Sequence, residues 1–159
     1  MTSTTYDGNL GGLTGPISAD SKCQARATSA LLTGTWQAWI SNDTISAASR
    51  LPNSANPYLR LPPTGLNIAD NWVDLTDASL DTSFSINEFG AGVTGPVWTG
   101  TNTNGSSYVG FNCSNWTSAS SVVTGRTGNA ISTIGAWTFS SDGACNITNR
   151  RLYCIETAP

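Results

Sequence analysis

The chain has 159 residues, the length of one domain, and only 11% of them are charged, against about 25% in an average soluble protein. A net charge of −3 leaves no basic stripe for nucleic acid, and the absence of histidine excludes histidine-zinc sites and histidine-dependent catalytic triads. The apolar runs are far shorter than the ~20 residues of a transmembrane helix, so we expect no membrane insertion of this domain.

The N-terminal region predicts one strand followed by the main helix. Ser3 to Asp7 has a strand-like pattern. Ser18 can then cap a helix from Ala19 to Thr33, and Gly34 can end it. The apolar face of this helix consists of Cys23, Ala27, Ala30 and Leu31. We therefore expect the first cysteine to face the core.

The next segment begins with a strand and then loses its periodicity. Trp36 to Ile40 alternates as a half-buried strand does. From Asn42 to Gly95 turn signals dominate, among them Pro62-Pro63-Thr64-Gly65. Because this stretch is too long for an ordinary loop, it either holds short elements of its own or is a functional excursion from the core.

Regular strand signals return in the second half of the chain. Val97–Thr99 and Tyr108–Phe111 predict a hairpin around the turn at Thr101 to Ser107. Further short strands are predicted at Asn115–Thr117, Ala136–Phe139 and Arg151–Ile155. We therefore predict a single strand-rich α+β domain spanning residues 1–159.

Four cysteines indicate the compartment in which this chain folds. No two of them form a Cys-x-x-Cys pair, so a zinc ribbon or a thioredoxin-type redox site is not favoured. An even number in a polar, lysine-poor chain favours two disulfides, with three pairings open, over four buried free thiols. The residues after Met1 lack the pattern of a signal peptide. We interpret the chain as a domain excised from a longer exported, extracellular protein.

The last third of the chain carries a spaced set of cysteines, aromatic residues and carboxylates. The set is Cys113, Trp116, Trp137, Asp142, Cys145 and the terminal Arg151-Leu152-Tyr153-Cys154-Ile155-Glu156. It resembles the C-terminal half of a C-type-lectin-like domain. The resemblance implies an α+β fold with one main helix, a twisted antiparallel sheet and a long loop region. It also implies disulfides between Cys23 and Cys154 and between Cys113 and Cys145.

A second set of motifs covers nearly the whole chain. It comprises Thr4 to Leu13, Ala19-Asp20-x-x-Cys23, Trp36-x-Ala38-Trp39-Ile40-Ser41, Ala69-Asp70-Asn71-Trp72, Val97-Trp98-Thr99-Gly100 and Cys113-x-x-Trp116. This set resembles the leptospiral endostatin-like outer-membrane proteins, which are bacterial surface domains. The resemblance implies surface adhesion, with a cell-surface glycan or a host or prey surface protein as partner. A structural subunit of a surface fibre, for example a trimer at its tip, is the alternative.

Calcium-dependent sugar binding, a third function, has weak support from the residues. Sugar-binding lectins carry Trp-Asn-Asp before the third cysteine, and this chain has Ser140-Ser141-Asp142 there. The companion Glu-Pro-Asn motif is also absent, since Leu51-Pro52-Asn53 lacks the carboxylate. Calcium needs six to eight oxygens. We therefore expect no metal ion and no cofactor.

Half of the carboxylates nevertheless lie between Asp70 and Glu88. They are Asp70, Asp74, Asp77, Asp81 and Glu88. One interpretation is a loop that binds calcium or meets a cationic partner. The favoured interpretation is that these aspartates cap turns and keep a long loop solvated. A glycosidase pair such as Asp74 with Glu88 has no supporting motif, so we predict that the protein is not an enzyme.

Most of the six tryptophans lie in strand-like runs and are expected in the core. Trp72 and Tyr58 instead lie in the irregular segment among polar residues. Exposed aromatic residues beside polar groups are typical of binding surfaces. The candidate ligand-binding residues are therefore Tyr58, Asn67, Asp70, Asn71, Trp72 and Asp74.

Overall fold

A computed structural model describes residues 1–159 as a small α+β protein with antiparallel sheets. Its elements, in chain order, are α1 (Ala19–Ser29), β1 (Thr35–Ala38), α2 (Ala47–Arg50), β2 (Tyr58–Leu59), β3 (Asn67–Ala69), α3 (Trp72–Leu75), β4 (Pro96–Trp98), β5 (Thr124–Asn129), β6 (Ser141–Ala144) and β7 (Cys154–Ala158). No helix is both long enough and apolar enough to cross a membrane.

Helix α1 begins as predicted and ends four residues early. The Ser18 side chain accepts a hydrogen bond from the Ser21 N–H at 3.2 Å, which confirms the N-cap. At the other end Leu31 has a φ of 58° and is 90% exposed, so its predicted place on the apolar face was wrong. Leu32 N donates to Ala27 O at 3.0 Å, which is the 6→1 hydrogen bond of a Schellman motif, so the helix ends before Gly34.

Strands β1 and β7 form a two-stranded antiparallel sheet beside α1. A disulfide between Cys23 and Cys154 joins the helix to β7, and a second joins Cys113 to Cys145. These are the two pairs that the resemblance implied, and no cysteine is free.

A three-stranded antiparallel sheet forms in the order β4-β5-β6. The predicted hairpin of Val97–Thr99 with Tyr108–Phe111 was wrong, because β4 pairs with β5 instead. Within residues 97–111 the chain pairs with itself at one isolated antiparallel bridge, between Thr101 and Ser107. The turn at Thr101 to Ser107 folds back on α2, where Ala48 N donates to Gly105 O at 3.0 Å.

Three other predicted strands are not strands. The segment from Ser3 to Asp7 forms only the bridge from Tyr6 to Arg150. Around Asn115 the chain makes one left-handed helical turn, Cys113–Trp116, in which all four residues have a positive φ. Ala136–Phe139 contains a short 3-10 turn at Gly135–Trp137. The final strand begins at Cys154 rather than Arg151.

The segment from Asn42 to Gly95 holds short elements of its own: α2, the hairpin of β2 with β3, and α3. It covers one of the two apolar cores, which includes Trp39, Trp137, Tyr153 and Phe84. The other core lies around the Cys113–Cys145 disulfide and Trp98. Tryptophans 39, 98, 116 and 137 are fully buried, as predicted for most of the six.

Candidate functional site

Three of the predicted carboxylates meet at the end of β3. Oxygens of Asp70, Asp74 and Asp81 lie within 4.8 Å of one another. The Asn67 side-chain amide donates to Asp70 Oδ1 at 2.7 Å and to Asp81 Oδ2 at 2.9 Å. Asp74 Oδ2 accepts the backbone N–H of Asp70 at 2.7 Å. Each carboxylate thus has a donor from the protein, which offsets part of their mutual repulsion.

Asn71 fixes the start of α3 beside this cluster. Its side-chain oxygen accepts from Val73 N at 2.9 Å and from Asp74 N at 3.2 Å, so it acts as the N-cap. Asp77 lies outside the cluster and accepts from Ser79 N at 2.8 Å. These contacts are the turn-capping roles that the favoured interpretation assigned to the acidic segment.

Glu88 lies apart from these aspartates and is almost fully buried. Its carboxylate accepts from Ser3 N and Ser3 Oγ, both at 2.6 Å, and pairs with Arg26 Nε at 2.5 Å. Burial alone raises the pKa of Glu88, but hydrogen bonds from Ser3 and Arg26 together hold that pKa below its ordinary value. Asp74 and Glu88 therefore serve separate structural contacts, which gives no support to a glycosidase pair.

Trp72 is half-buried and packs against the core. Its ring centroid lies 5.7 Å from that of Trp39. Its backbone N–H donates to Ser54 O at 2.8 Å, so α3 is fixed to the segment that precedes β2. The neighbouring Val73 side chain is 74% exposed and was not among the predicted residues. The one sequence signal for the exposure of Val73 is its position directly after a half-buried tryptophan in a helical turn, where neighbouring side chains point in different directions.

Tyr58 lies on the other side of the same segment. Its hydroxyl donates to Pro52 O at 2.9 Å and accepts from Ser54 N at 3.2 Å. Burial raises the pKa of the Tyr58 hydroxyl above its ordinary value. The aromatic pair suggested by the sequence is therefore divided between two recesses that share Ser54.

The smaller recess, called here the acidic depression, has a volume of about 590 Å³. Its lining consists of Asn53, Ser54, Ala55, Asp70, Asn71, Trp72, Val73, Asp74 and Asp77. Four of the six predicted residues therefore lie together, whereas Asn67 and Tyr58 are outside it. The depression combines a strip of apolar surface with three carboxylates and no basic side chain.

Asp142, where the sequence was compared with the calcium motif of sugar-binding lectins, forms an ion pair in the structure. Asp142 on β6 lies opposite Arg126 on β5, with 3.1 Å between Arg126 Nε and Asp142 Oδ1. The buried guanidinium is stacked between Tyr108, at 4.3 Å, and Phe139, at 4.0 Å. Asp142 is thus engaged by a fixed cation, and a calcium ion would have to displace it.

Chelation is expected to leave the melting temperature unchanged. The cluster of Asp70, Asp74 and Asp81 offers three carboxylates, of which each already has a protein donor, whereas calcium needs six to eight oxygens. Thermal melts with EDTA and with excess calcium test this expectation. A tight site at a hundred times its dissociation constant adds about 2.7 kcal/mol. A calcium-dependent rise in melting temperature that Asp81→Asn abolishes would contradict it.

Comparison with known proteins places the chain in one family. Residues 3–133 match the family described as "Protein of unknown function (DUF1554)", and the chain therefore belongs to that family. The match includes the whole acidic depression and ends before β6 and β7. No curated protein matches the chain.

Proposed function

We propose that this chain is an extracellular adhesion domain that recognises a cell-surface glycan or protein without calcium and without catalysis. The observation that carries this proposal is the acidic depression, in which exposed Val73 and half-buried Trp72 stand beside Asp70, Asp74 and Asp77. Loops on a rigid scaffold are where recognition residues usually lie. Two disulfides and two apolar cores supply that rigidity here.

The scaffold that we propose is C-type-lectin-like. This is supported by the two disulfide pairs, since one joins the main helix to the final strand and the other flanks the three-stranded sheet. It is also supported by the long irregular segment between β1 and β4, from which the depression is built. The two disulfides further support an oxidising, extracellular location.

The charge of the depression restricts its partner. Three aspartates line it and no lysine or arginine does, so an anionic glycan would be repelled at low ionic strength. A neutral glycan can lay an apolar sugar face on Trp72 and Val73 while its hydroxyls bond to carboxylates. A protein surface with basic side chains gains charge-assisted hydrogen bonds from the same groups.

Two identical substitutions of exposed valines, one inside the acidic depression and one outside it, test whether the depression binds the ligand. A glycan and protein array first identifies a ligand for the purified domain. Val73→Asp places a like charge on the apolar strip, in the first turn of α3 where aspartate is well tolerated. Val122→Asp is the matched control, since Val122 is 89% exposed and lies outside the depression.

For an uncharged ligand, which loses its apolar contact with Val73, we expect Val73→Asp to weaken binding more than ten-fold, or about 1.4 kcal/mol, and Val122→Asp to leave it unchanged. Isothermal titration calorimetry measures both, and thermal melts confirm that both variants fold. A double substitution, Tyr58→Ala with Trp72→Ala, would also lower stability, because Trp72 packs on Trp39 and its loss weakens the core. Unchanged binding of an uncharged ligand by Val73→Asp, or an array without any ligand, contradicts the proposal. Self-association abolished by Val73→Asp would instead favour the fibre subunit.

A further inference from the structure

The outer edge of β7 is open for most of its length. Its other edge pairs with β1, where Gln37 stands opposite Ile155, and one residue beyond these two strands Trp39 N donates to Tyr153 O at 3.0 Å. Residues of an antiparallel ladder alternate in the direction of their backbone groups. Cys154 and Glu156 therefore direct their N–H and C=O groups away from β1.

The same alternation is visible on β1. Ala38 N and Trp36 N point away from β7 and donate to α1 side chains, Asp20 Oδ1 and Gln24 Oε1, both at 2.9 Å. Two residues before β7 begins, the outer edge of the chain is occupied, because Thr2 N donates to Leu152 O at 3.0 Å. Beyond Leu152 no other strand joins that edge, and no turn or side chain bonds to the backbone of Cys154 or Glu156.

This open edge borders the larger recess, a cleft of about 630 Å³. Residues 154–159 form one wall and residues 56–62, which include β2, form another. Buried apolar side chains, Ile68, Phe84 and Ile86, line it as well. The volume is within the range of ligand sites, and 59% of Leu59 on β2 is exposed. A strand-shaped ligand would thus meet backbone groups on one side and apolar side chains below.

The two walls carry opposite charges without ion-pair partners. Arg60 Nε and Nη2 donate to Ser83 and Ser85 oxygens, which hold the guanidinium in place, while Nη1 has no protein acceptor. No carboxylate lies within salt-bridge distance of Arg60, and none of the basic groups pairs with the exposed Glu156. A guest with an acidic side chain toward Arg60 would complement the wall that contains β2.

We propose that an extended peptide segment of a partner protein docks in this cleft by adding a strand to the outer edge of β7, with an acidic side chain at Arg60. Unpaired strand edges are ready templates for such addition, in which main-chain hydrogen bonds supply affinity and side-chain pockets supply specificity. β7 contains neither proline nor lysine, and Glu156 is the one charged side chain on it. The inference concerns a different surface from the acidic depression and stands independently of the proposed function.

A random heptapeptide phage library panned against the purified domain provides the probe, and the most enriched peptide is then synthesised. Glu156→Pro removes an outward N–H while leaving the ladder with β1 intact, since proline is tolerated where the N–H faces outward from an edge. Glu156→Ala is the matched control that removes only the carboxylate. We expect Glu156→Pro to weaken peptide binding more than ten-fold and Glu156→Ala less than three-fold. Arg60→Met should weaken it at least five-fold for a peptide with an acidic residue.

Two measurements keep the test valid if Glu156→Pro does not fold. Amide hydrogen exchange in the wild type should be fast at Cys154 and Glu156 and should slow when peptide is added. N-methylation of successive peptide positions should abolish binding at every second position only, because one parity bonds to β7. No enriched peptide, protection of these amides in the free protein, or loss of binding without the two-residue period would overturn the proposal. Dimerisation lost in Glu156→Pro would assign the edge to a second copy instead.

Discussion

Replacing Cys23 and Cys154 together by alanine is expected to lower the free energy of unfolding by about 5 kcal/mol. The two cysteines are 131 residues apart, so their bond closes nearly the whole chain into one loop. The disulfide lowers the conformational entropy of the unfolded chain, and its removal therefore stabilises the unfolded state. At about 2–4 °C per kcal/mol for a chain of this size, the melting temperature should fall by roughly 10–20 °C. Urea unfolding and thermal melts measure both quantities.

The second disulfide is the matched comparison. Cys113 and Cys145 are 32 residues apart, so the same loop-entropy argument gives about 4 kcal/mol for their replacement by alanine. We therefore expect the Cys23–Cys154 variant to be the less stable of the two by about 1 kcal/mol. The reverse order would mean that packing around Cys113, which is fully buried in the second core, outweighs loop entropy.

Helix α1 was predictable because its signals are local. Ser18 marks the start of the helix, since its side chain accepts a hydrogen bond from the N–H of Ser21. The spacing of Cys23 and Ala27 marks the buried face. Its end was missed because Leu31 adopts the left-handed conformation that the prediction reserved for Gly34. A leucine with positive φ is rare, and no local pattern indicates it.

Strand β5 was missed for a different reason. Its sequence, Thr-Gly-Arg-Thr-Gly-Asn, lacks both alternation and β-branched apolar residues, yet it is the longest strand. Gly125 and Gly128 are required by what packs on the strand, since a Cβ at Gly125 would lie 2.8 Å from Cys113 Sγ. Such approaches depend on residues that are distant in sequence, so only the folded structure reveals them.

The candidate site was predicted in part. Asp70, Asn71, Trp72 and Asp74 were named from the sequence and lie together, but the N-cap role of Asn71 and the bond from Asp70 N to Asp74 Oδ2 were not predicted. The separate role of Glu88 was not predictable. Its partners, Ser3 and Arg26, are 85 and 62 residues away in sequence, and only the tertiary fold brings them together.

Gly128→Ala is expected to lower the free energy of unfolding by about 3 kcal/mol or more. A Cβ at this position would lie 1.8 Å from the Trp137 carbonyl oxygen, so either β5 or the 3-10 turn has to move. That oxygen also accepts the Tyr153 hydroxyl at 2.7 Å, and the hydrogen bond lies in the core. Movement of the turn would therefore also leave a buried hydroxyl without its partner, at a further cost of about 1–3 kcal/mol.

Gly92→Ala is the matched control for this substitution. A Cβ at Gly92 meets nothing within 4 Å, and its φ is not in the left-handed region. We expect it to change stability by less than about 0.5 kcal/mol, as exposed substitutions usually do. The contrast separates steric crowding from the general effect of replacing glycine, which acts through the unfolded state in both variants. If Gly128→Ala melts within about 2 °C of the wild type while Gly92→Ala does the same, then β5 and the Trp137 turn are not in direct backbone contact.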